Sequence, residues 1–357
     1  MNPLRLIAHK EDPRMAKRNI VVIGASAGGI LALTDLFKSL PADFEAYIFV
    51  VLHISPYSPS VLPQILSNAA PFKAKHAKDG DAIEPNLIYV APPDHHLILE
   101  KGKVLVKKGP KENRFRPSID ALFRSAAYTF GSRVIGIVLS GMLDDGTSGL
   151  WSIKRLGGIA MIQDPTDAEF PHMPLNVMEY VEVDHMLRVE QMGALLAQLT
   201  SEEAPAPIKL ADEEFDRLNM EVLIAAQDNA FEMGVLQKGE NTNLTCPECS
   251  GALVKFTEGK IKRYRCHTGH GFTENALLAG VTKSLEDDLW KVVRGMEEAI
   301  ILLEAMARQY ELEGQDEPAS LFYKKALDTH KQSQSLRQYI FKLDPFSEDM
   351  RFGKTGE

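Results

Sequence analysis

Ile23-Gly24-Ala25-Ser26-Ala27-Gly28-Gly29 follows the apolar run Ile20–Ile23 and leads into a helical stretch, Ile30–Leu40. A G-x-S-x-G at a strand-to-helix turn exposes a serine oxygen at the carboxyl edge of a sheet, and its glycines serve a turn too tight for side chains. Amides opening the next helix can face a developing oxyanion. A phosphate-binding loop fits less well, because Ser26 stands where a dinucleotide fingerprint has glycine and there is no Walker lysine. A plain glycine-rich turn is the remaining alternative.

Outward from this turn, Tyr47–Leu52, Leu87–Val90, Val134–Leu139 and Ile159–Ile162 are strand candidates, most of them apolar throughout, as parallel strands covered on both faces are. Helical stretches separate them: Ser58–Ser67, where Ser58 can cap and Pro59 open the helix, then Ser118–Thr129 and Gly149–Leu156. The alternation predicts an α/β domain with a doubly wound, mostly parallel sheet. His96–Glu100 and Lys103–Val106, joined around Gly102, add a hairpin. A serine needs a base, and an open sheet is expected to supply it from the end of a nearby strand. His53 ends Tyr47–Leu52, and Asp145 follows another strand in Leu139-Ser140-Gly141-Met142-Leu143-Asp144-Asp145-Gly146. Alone, each reads as a structural histidine or a helix N-cap; together with Ser26 they match the roles of a serine triad.

The chain has 357 residues, which predicts two to three domains. A net charge of −9 argues against broad binding to nucleic acid or anionic membrane. No run approaches the ~18 apolar residues of a membrane span, and the N-terminus lacks the apolar core of a secretory signal. A cytoplasmic location is expected. The composition shifts at Ser201, where SEEAPAPIKLADEEF reads as an acidic linker before a helix near Arg217–Ala226. All three cysteines then fall in one window, as Cys246-x2-Cys249-x16-Cys266-x3-His270. Two knuckles separated by a hairpin-length stretch predict a structural Zn²⁺ ribbon held by Cys246, Cys249, Cys266 and His270, with His267 an alternative fourth ligand and free thiols the plainer reading. From Ser284, a candidate cap, apolar residues recur at spacings of three and four up to Gly314, and a second helix over Ala319–Phe341 completes an αα-hairpin. Its apolar stripe suits packing within the hairpin, self-association, or docking on another protein's helices. The expected divisions are an extension 1–18, the α/β domain 19–200, the linker with its helix 201–240, the ribbon 241–275, the hairpin 276–345 and a tail 346–357.

IGASAGG, LHIS, the RPSID of Arg116–Asp120 and LSGMLDDGTSG, in this order, resemble the catalytic domain of the CheB-type chemotaxis receptor methylesterases over roughly residues 19–197. The resemblance implies a parallel α/β fold and a Ser26–His53–Asp145 triad needing no cofactor, with the Ala27 and Met142 amides as oxyanion donors. It implies hydrolysis of glutamate γ-methyl esters on methyl-accepting, helical sensory receptors, and deamidation of glutamines by the same steps. Arg116 reads either as a substrate contact or as a surface arginine. Phe170-Pro171-His172-Met173-Pro174 resembles a family loop and is expected to be a proline-shaped loop. At Asp144 the family commonly has Asn. The family's usual architecture places a receiver domain first; here about 18 residues precede the first strand, so control by an attached receiver is not expected. A non-catalytic binding module of a sensory pathway, acting through the ribbon and helices, is the competing reading, and a small-molecule esterase a third.

Overall fold

Uninterrupted β-branched runs become the centre of a seven-stranded sheet in which every pairing is parallel. The computed structural model describes residues 17–343 other than Ser58 and Asp228, in two compact units, 17–276 and 277–343. The first unit opens with β1 (Ile20–Ala25), α1 (Gly29–Lys38), β2 (Tyr47–Leu52), α2 (Leu62–Ala69), β3 (Lys73–His76) and β4 (Leu87–Val90). An antiparallel pair, β5 (His96–Glu100) and β6 (Lys103–Lys107), forms a sheet of its own. Then come α3 (Ile119–Phe130), β7 (Val134–Val138), α4 (Thr147–Arg155), β8 (Ile159–Gln163), α5 (His172–Tyr180), β9 (His185–Leu187) and α6 (Val189–Ser201). The sheet order is β3-β4-β2-β1-β7-β8-β9.

Alternate residues of the central strands feed two separate cores. Ile20, Val22, Phe49 and Val51 pack with Leu122 and Phe123 of α3, Ile153 of α4 and Val177 of α5. Val21, Ile23, Ile48 and Val50 pack with Leu33 and Phe37 of α1, Leu66 of α2 and Leu196 of α6. Covering both faces leaves the carboxyl edge as the place where side chains can meet a ligand.

Several elements differ from the sequence reading. The second helix starts at Leu62 rather than near Ser58: Pro63 opens it, and Ser60 Oγ accepts from the Leu62 amide (3.3 Å). Ser58 itself lies outside the described residues, as do the first sixteen residues and those after 343. The proline-shaped loop is instead the start of α5, with Pro174 in the first turn, where a missing N–H costs nothing. The acidic stretch is shorter than expected, because α7 (Asp212–Ala225) begins within it. Leu218 of α7 joins the first core, and Phe215 packs on Tyr128 of α3 at 5.1 Å.

After the short α8 (Val235–Lys238), an antiparallel sheet forms from β10 (Glu240–Thr245), β11 (Ala252–Glu258), β12 (Ile261–Cys266) and β13 (Gly271–Thr273). It is tied to the parallel-sheet region by buried charge. Arg263 and Arg265 of β12 and Arg124 of α3 face Glu112, Glu221 of α7 and Glu258 of β11. Arg263 reaches Glu221 at 2.7 Å and Glu112 at 3.2 Å, and Arg265 reaches Glu112 at 2.9 Å. Three cations face these three anions, and a fourth carboxylate, Asp120, lies 3.9 Å from Arg124 at the edge of the cluster.

A 39-residue helix, α9 (Glu274–Leu312), starts ten residues before Ser284, because Thr273 Oγ1 accepts from the Ala276 amide (3.2 Å) and serves as its cap. The second unit is the hairpin of α9 with α10 (Asp316–Phe341). Gly314, at φ 72°, makes the turn. Tyr310 stacks on Phe322, Trp290 meets Phe341 edge-on, and Arg337 pairs with Glu297 at 2.7 Å. Among the described residues no helix is long and apolar enough to cross a membrane.

Burial alone would raise Glu221, but Arg263, Arg265 and Arg124 hold its carboxyl at about 2, against an ordinary 4.5. Burial likewise opposes ionisation of Glu112, and its arginines hold it well below the usual range. Groups with lowered folded values stabilise the fold above their unfolded values and cease to do so as the folded value is crossed. Denaturant stability is therefore expected to fall as pH drops from 4.5 towards about 2. At pH 7, Glu221→Gln should cost about 3–5 kcal/mol, since it leaves buried arginines uncompensated. Urea titrations across pH check both.

Candidate active site

The serine turn is built by Gly28, which caps α1 at φ 71°, a conformation side chains resist. A Cβ there would lie 2.6 Å from Ser140 Oγ. Ser26 follows β1, His53 follows β2 and Asp145 lies in the loop after β7, so the three residues come from adjacent strands. The strand ladder continues past the last strand residues: the Ser26 amide donates to Ser140 O (3.0 Å) and the His53 amide to Ala25 O (3.1 Å).

The side chains meet in a line. His53 Nδ1 lies 3.1 Å from Ser26 Oγ, and Nε2 lies 2.8 Å from Asp145 Oδ2. Because the ionised carboxylate only accepts, Nε2 carries the proton and Nδ1 presents its lone pair to the serine hydroxyl. The imidazole is 3% exposed and stacks on the Phe115 ring, centroids 3.8 Å apart and nearly parallel.

Asp145 is buried and accepts five hydrogen bonds, from His53 Nε2, Asn113 Nδ2 (2.8 Å), Ser118 Oγ (3.0 Å) and the amides of Ile119 (2.7 Å) and Asp120 (3.2 Å). Burial pushes the carboxyl up, but His53, Asn113 and the Ile119 amide outweigh it and leave the group below its ordinary value. Ser118 occupies the N-cap position of α3 without capping it through its side chain; the Asp145 carboxylate takes that place. Asp120 does the reciprocal job. Its Oδ1 accepts from the amides of Gly146 (3.1 Å) and Gly149 (2.6 Å) at the start of α4. Burial, then the nearby Asp145 charge, pushes Asp120 up to about 7.

His96 and Thr273 complete the surround. Buried His96 is lowered by desolvation and accepts from the Ser118 amide at Nδ1 while donating to Pro110 O at Nε2, as a neutral ring does. Thr273 donates to Asp144 Oδ1 (2.7 Å). Among the described residues the amides of Ala27 and Met142 make no hydrogen bond to another protein group, whereas the intervening Gly141 amide donates to Phe170 O. Arg116 is half-buried, with Nε (2.9 Å) and Nη2 (2.6 Å) on Asp94 and Nη1 on Gly109 O. It fixes the segment that carries Phe115. Asn113, Phe115, His96 and Thr273 escape the sequence reading, and only the neighbouring RPSID motif hinted at this segment.

Away from the serine, the ligand atoms of Cys246, Cys249, Cys266 and His270 all lie within 4.8 Å of one another. Cys249 and Cys266 Sγ are 3.7 Å apart, and His270 Nδ1 is 3.7 Å from Cys246 Sγ and 3.6 Å from Cys266 Sγ. Zinc–ligand bonds of 2.0–2.3 Å imply tetrahedral edges of about 3.5–3.8 Å. His267 is outside this group.

Residues 21–196 match the family model described as CheB methylesterase. A Leptospira interrogans protein named "Putative protein-glutamate methylesterase/protein-glutamine glutaminase" is 39% identical over 180 residues, which are 50% of this chain and 93% of that relative. The chain belongs to the CheB methylesterase family. A Pyrococcus horikoshii member, named protein-glutamate methylesterase/protein-glutamine glutaminase, is 34% identical over 189 residues, 52% of this chain and 51% of its own length. The crystal structure of the Thermotoga maritima CheB methylesterase catalytic domain is 34% identical and covers 51% of this chain and 98% of that one, with a TM-score of 0.49. The CheB match holds Ser26, His53 and Asp145, and the cysteine cluster lies beyond it.

Aromatic stacking contributes about 0.5–1.5 kcal/mol beyond burial. Phe115→Ala is expected to slow phosphonylation of Ser26 by a fluorophosphonate about two- to tenfold while leaving far-ultraviolet circular dichroism unchanged. An unaltered labelling rate would show that the ring does not hold His53.

Proposed function

We propose that this chain is a protein-glutamate methylesterase acting on methylated sensory receptors, and that Ser26, His53 and Asp145 carry the reaction. The single observation behind this reading is the serine–imidazole–carboxylate line within the CheB match. Ser26 Oγ attacks the γ-carbonyl of the glutamate ester as its proton passes to His53 Nδ1. Asp145 orients the ring through Nε2 and stabilises its charged form. The amides of Ala27 and Met142 supply donors to the oxyanion. When the tetrahedral species collapses, the C–O bond to methanol breaks and His53 returns the proton to the leaving oxygen. Water, deprotonated by the same nitrogen, then cleaves the acyl-enzyme and restores Ser26. With a glutamine substrate the identical steps release ammonia, which fits the paired names of the relatives. Arg116 spends three of its five N–H donors on Asp94 and Gly109 O, which suits it to hold the segment carrying Phe115.

In the ribbon, Cys246, Cys249, Cys266 and His270 would hold one Zn²⁺, closed by four ligands and therefore structural. The exposed apolar side chains of the helical unit, Leu302, Leu321 and Phe341 among them, suit contact with a helical partner such as a receptor.

Mass spectrometry of methylated receptor peptides tests the activity: loss of 14 Da per ester (the methylene difference between ester and acid) and methanol release are expected with the enzyme. Ser26→Ala should reduce both by at least about a thousandfold; retained turnover would remove Ser26 from the mechanism. Native mass spectrometry should find about one zinc per chain, falling in Cys249→Ser. Metal-free native protein would refute the ribbon assignment.

A further inference from the structure

Residues 111–113 are held from both sides. The Asn113 amide donates to Gly271 O (2.8 Å) and the Gly271 amide to Lys111 O (3.2 Å), so this segment pairs with β13. Between them, Glu112 points into the arginines of α3 and β12. The Asn113 side chain is 1% exposed and uses both of its ends. Its Oδ1 accepts from the Thr273 amide (2.9 Å), and its Nδ2 donates to Asp145 Oδ1 and Asp120 Oδ2, each at 2.8 Å. The backbone there has φ 49°, a left-handed conformation that Asn tolerates better than most residues.

The strand that grips Asn113 begins directly after His270. Cys266 ends β12, its amide donates to His270 O (3.1 Å), and both residues belong to the four-ligand cluster. A metal held by Cys266 and His270 would add a second link across the turn between β12 and β13, which the Cys266 amide already closes. Thr273 also donates to Asp144, the neighbour of Asp145.

We propose that Asn113 is a positioning residue of the esterase and that the metal-bound ribbon, through β13 and Asn113, sets the geometry of Asp145. The proposal rests on the Ser26–His53–Asp145 reading. When the metal leaves, the turn loses its second link, the Thr273 amide releases Asn113 Oδ1, and the freed side-chain amide no longer steadies Asp145. The ester-hydrolysing centre is then weakened without any change to Ser26 or His53. Metal occupancy thus becomes a control on activity that acts from behind the catalytic acid.

The test uses the full chain and two readouts: Ser26 phosphonylation by a fluorophosphonate, and kcat and KM on a simple ester. Removing metal with 1,10-phenanthroline should slow phosphonylation about tenfold or more, the scale of one hydrogen bond to a buried charge, and added Zn²⁺ should restore it. Asn113→Ala with metal bound should lower kcat by a similar factor and leave KM within about twofold. In the Asn113→Ala background, metal removal should add less than about twofold, because the two changes cut the same connection. If apoprotein loses its fold by circular dichroism, metal control through Asn113 is overturned, and the metal-loaded Asn113→Ala variant decides the positioning role. Unchanged phosphonylation in folded apoprotein, full kcat in Asn113→Ala, or multiplying effects would each overturn the proposal. Labelling of a Ser26→Ala control at the wild-type rate would instead overturn the triad reading beneath it.

Discussion

The Asp145 carboxylate is the constraint on which the rest of this site depends. A buried charge is tolerable only when its lone pairs are met, and Asp145 meets five donors drawn from three places in the chain. It lies between the end of β7 and the start of α4, yet it caps α3, where free amides and the helix dipole favour an anion. Asp120, in the first turn of α3, caps α4 in return. This exchange locks two helices at one edge of the sheet and leaves a single orientation for the oxygen that faces His53. Two carboxylates so close cannot both ionise freely. The pair divides accordingly, with Asp145 held low and Asp120 pushed up to about 7.

The same logic operates at larger scale where the ribbon meets the α/β region. Buried ion pairs add little net stability compared with apolar packing, but they tolerate few arrangements. Arg263 and Arg265 alternate with Tyr264 along β12, so both project from the same face of the strand into one acidic cluster. Such a junction selects one register of β12, and β13 follows from it. Thr273 lies directly opposite Arg263 in the β12–β13 pairing, so the charge cluster helps to fix its placement against Asn113 and Asp144.

Local signals explain which parts of this molecule are legible in its sequence. The central strands announce themselves because both faces are covered and every residue must be apolar. Ser26 and the cysteine cluster are legible because each lies in a short local pattern, a glycine-flanked turn and a Cys-x2-Cys pair. By contrast β3, Lys73-Ala74-Lys75-His76, is a polar edge strand, and β9 has three residues, so neither carries a periodic pattern. The helical phase after Ser284 is visible, but the start of α9 is not. Thr273 caps it from inside a strand of the ribbon, a role that exists only once β13 is paired. Asn113, Phe115 and Glu112 lie in an irregular segment whose importance comes wholly from what folds against it. Residues of this kind have partners more than a hundred positions away, and a single sequence holds no local trace of them.

Strand order also accounts for the way the imidazole is turned. His53 stands at the end of β2, Ser26 on its neighbour β1, and Asp145 beyond that after β7. Adjacent strands are about 4.8 Å apart, so the ring must reach across one strand to touch the next but one. The nitrogen nearer the His53 backbone, Nδ1, falls over β1 and meets Ser26; the far nitrogen, Nε2, is carried on to Asp145. Reversing the two contacts would require the serine to lie beyond the acid, which the order β2-β1-β7 forbids. The topology of a parallel sheet thus decides which nitrogen faces the serine and which faces the carboxylate. Phe115 adds a wall to this arrangement, its aromatic face stacked on the imidazole with centroids 3.8 Å apart.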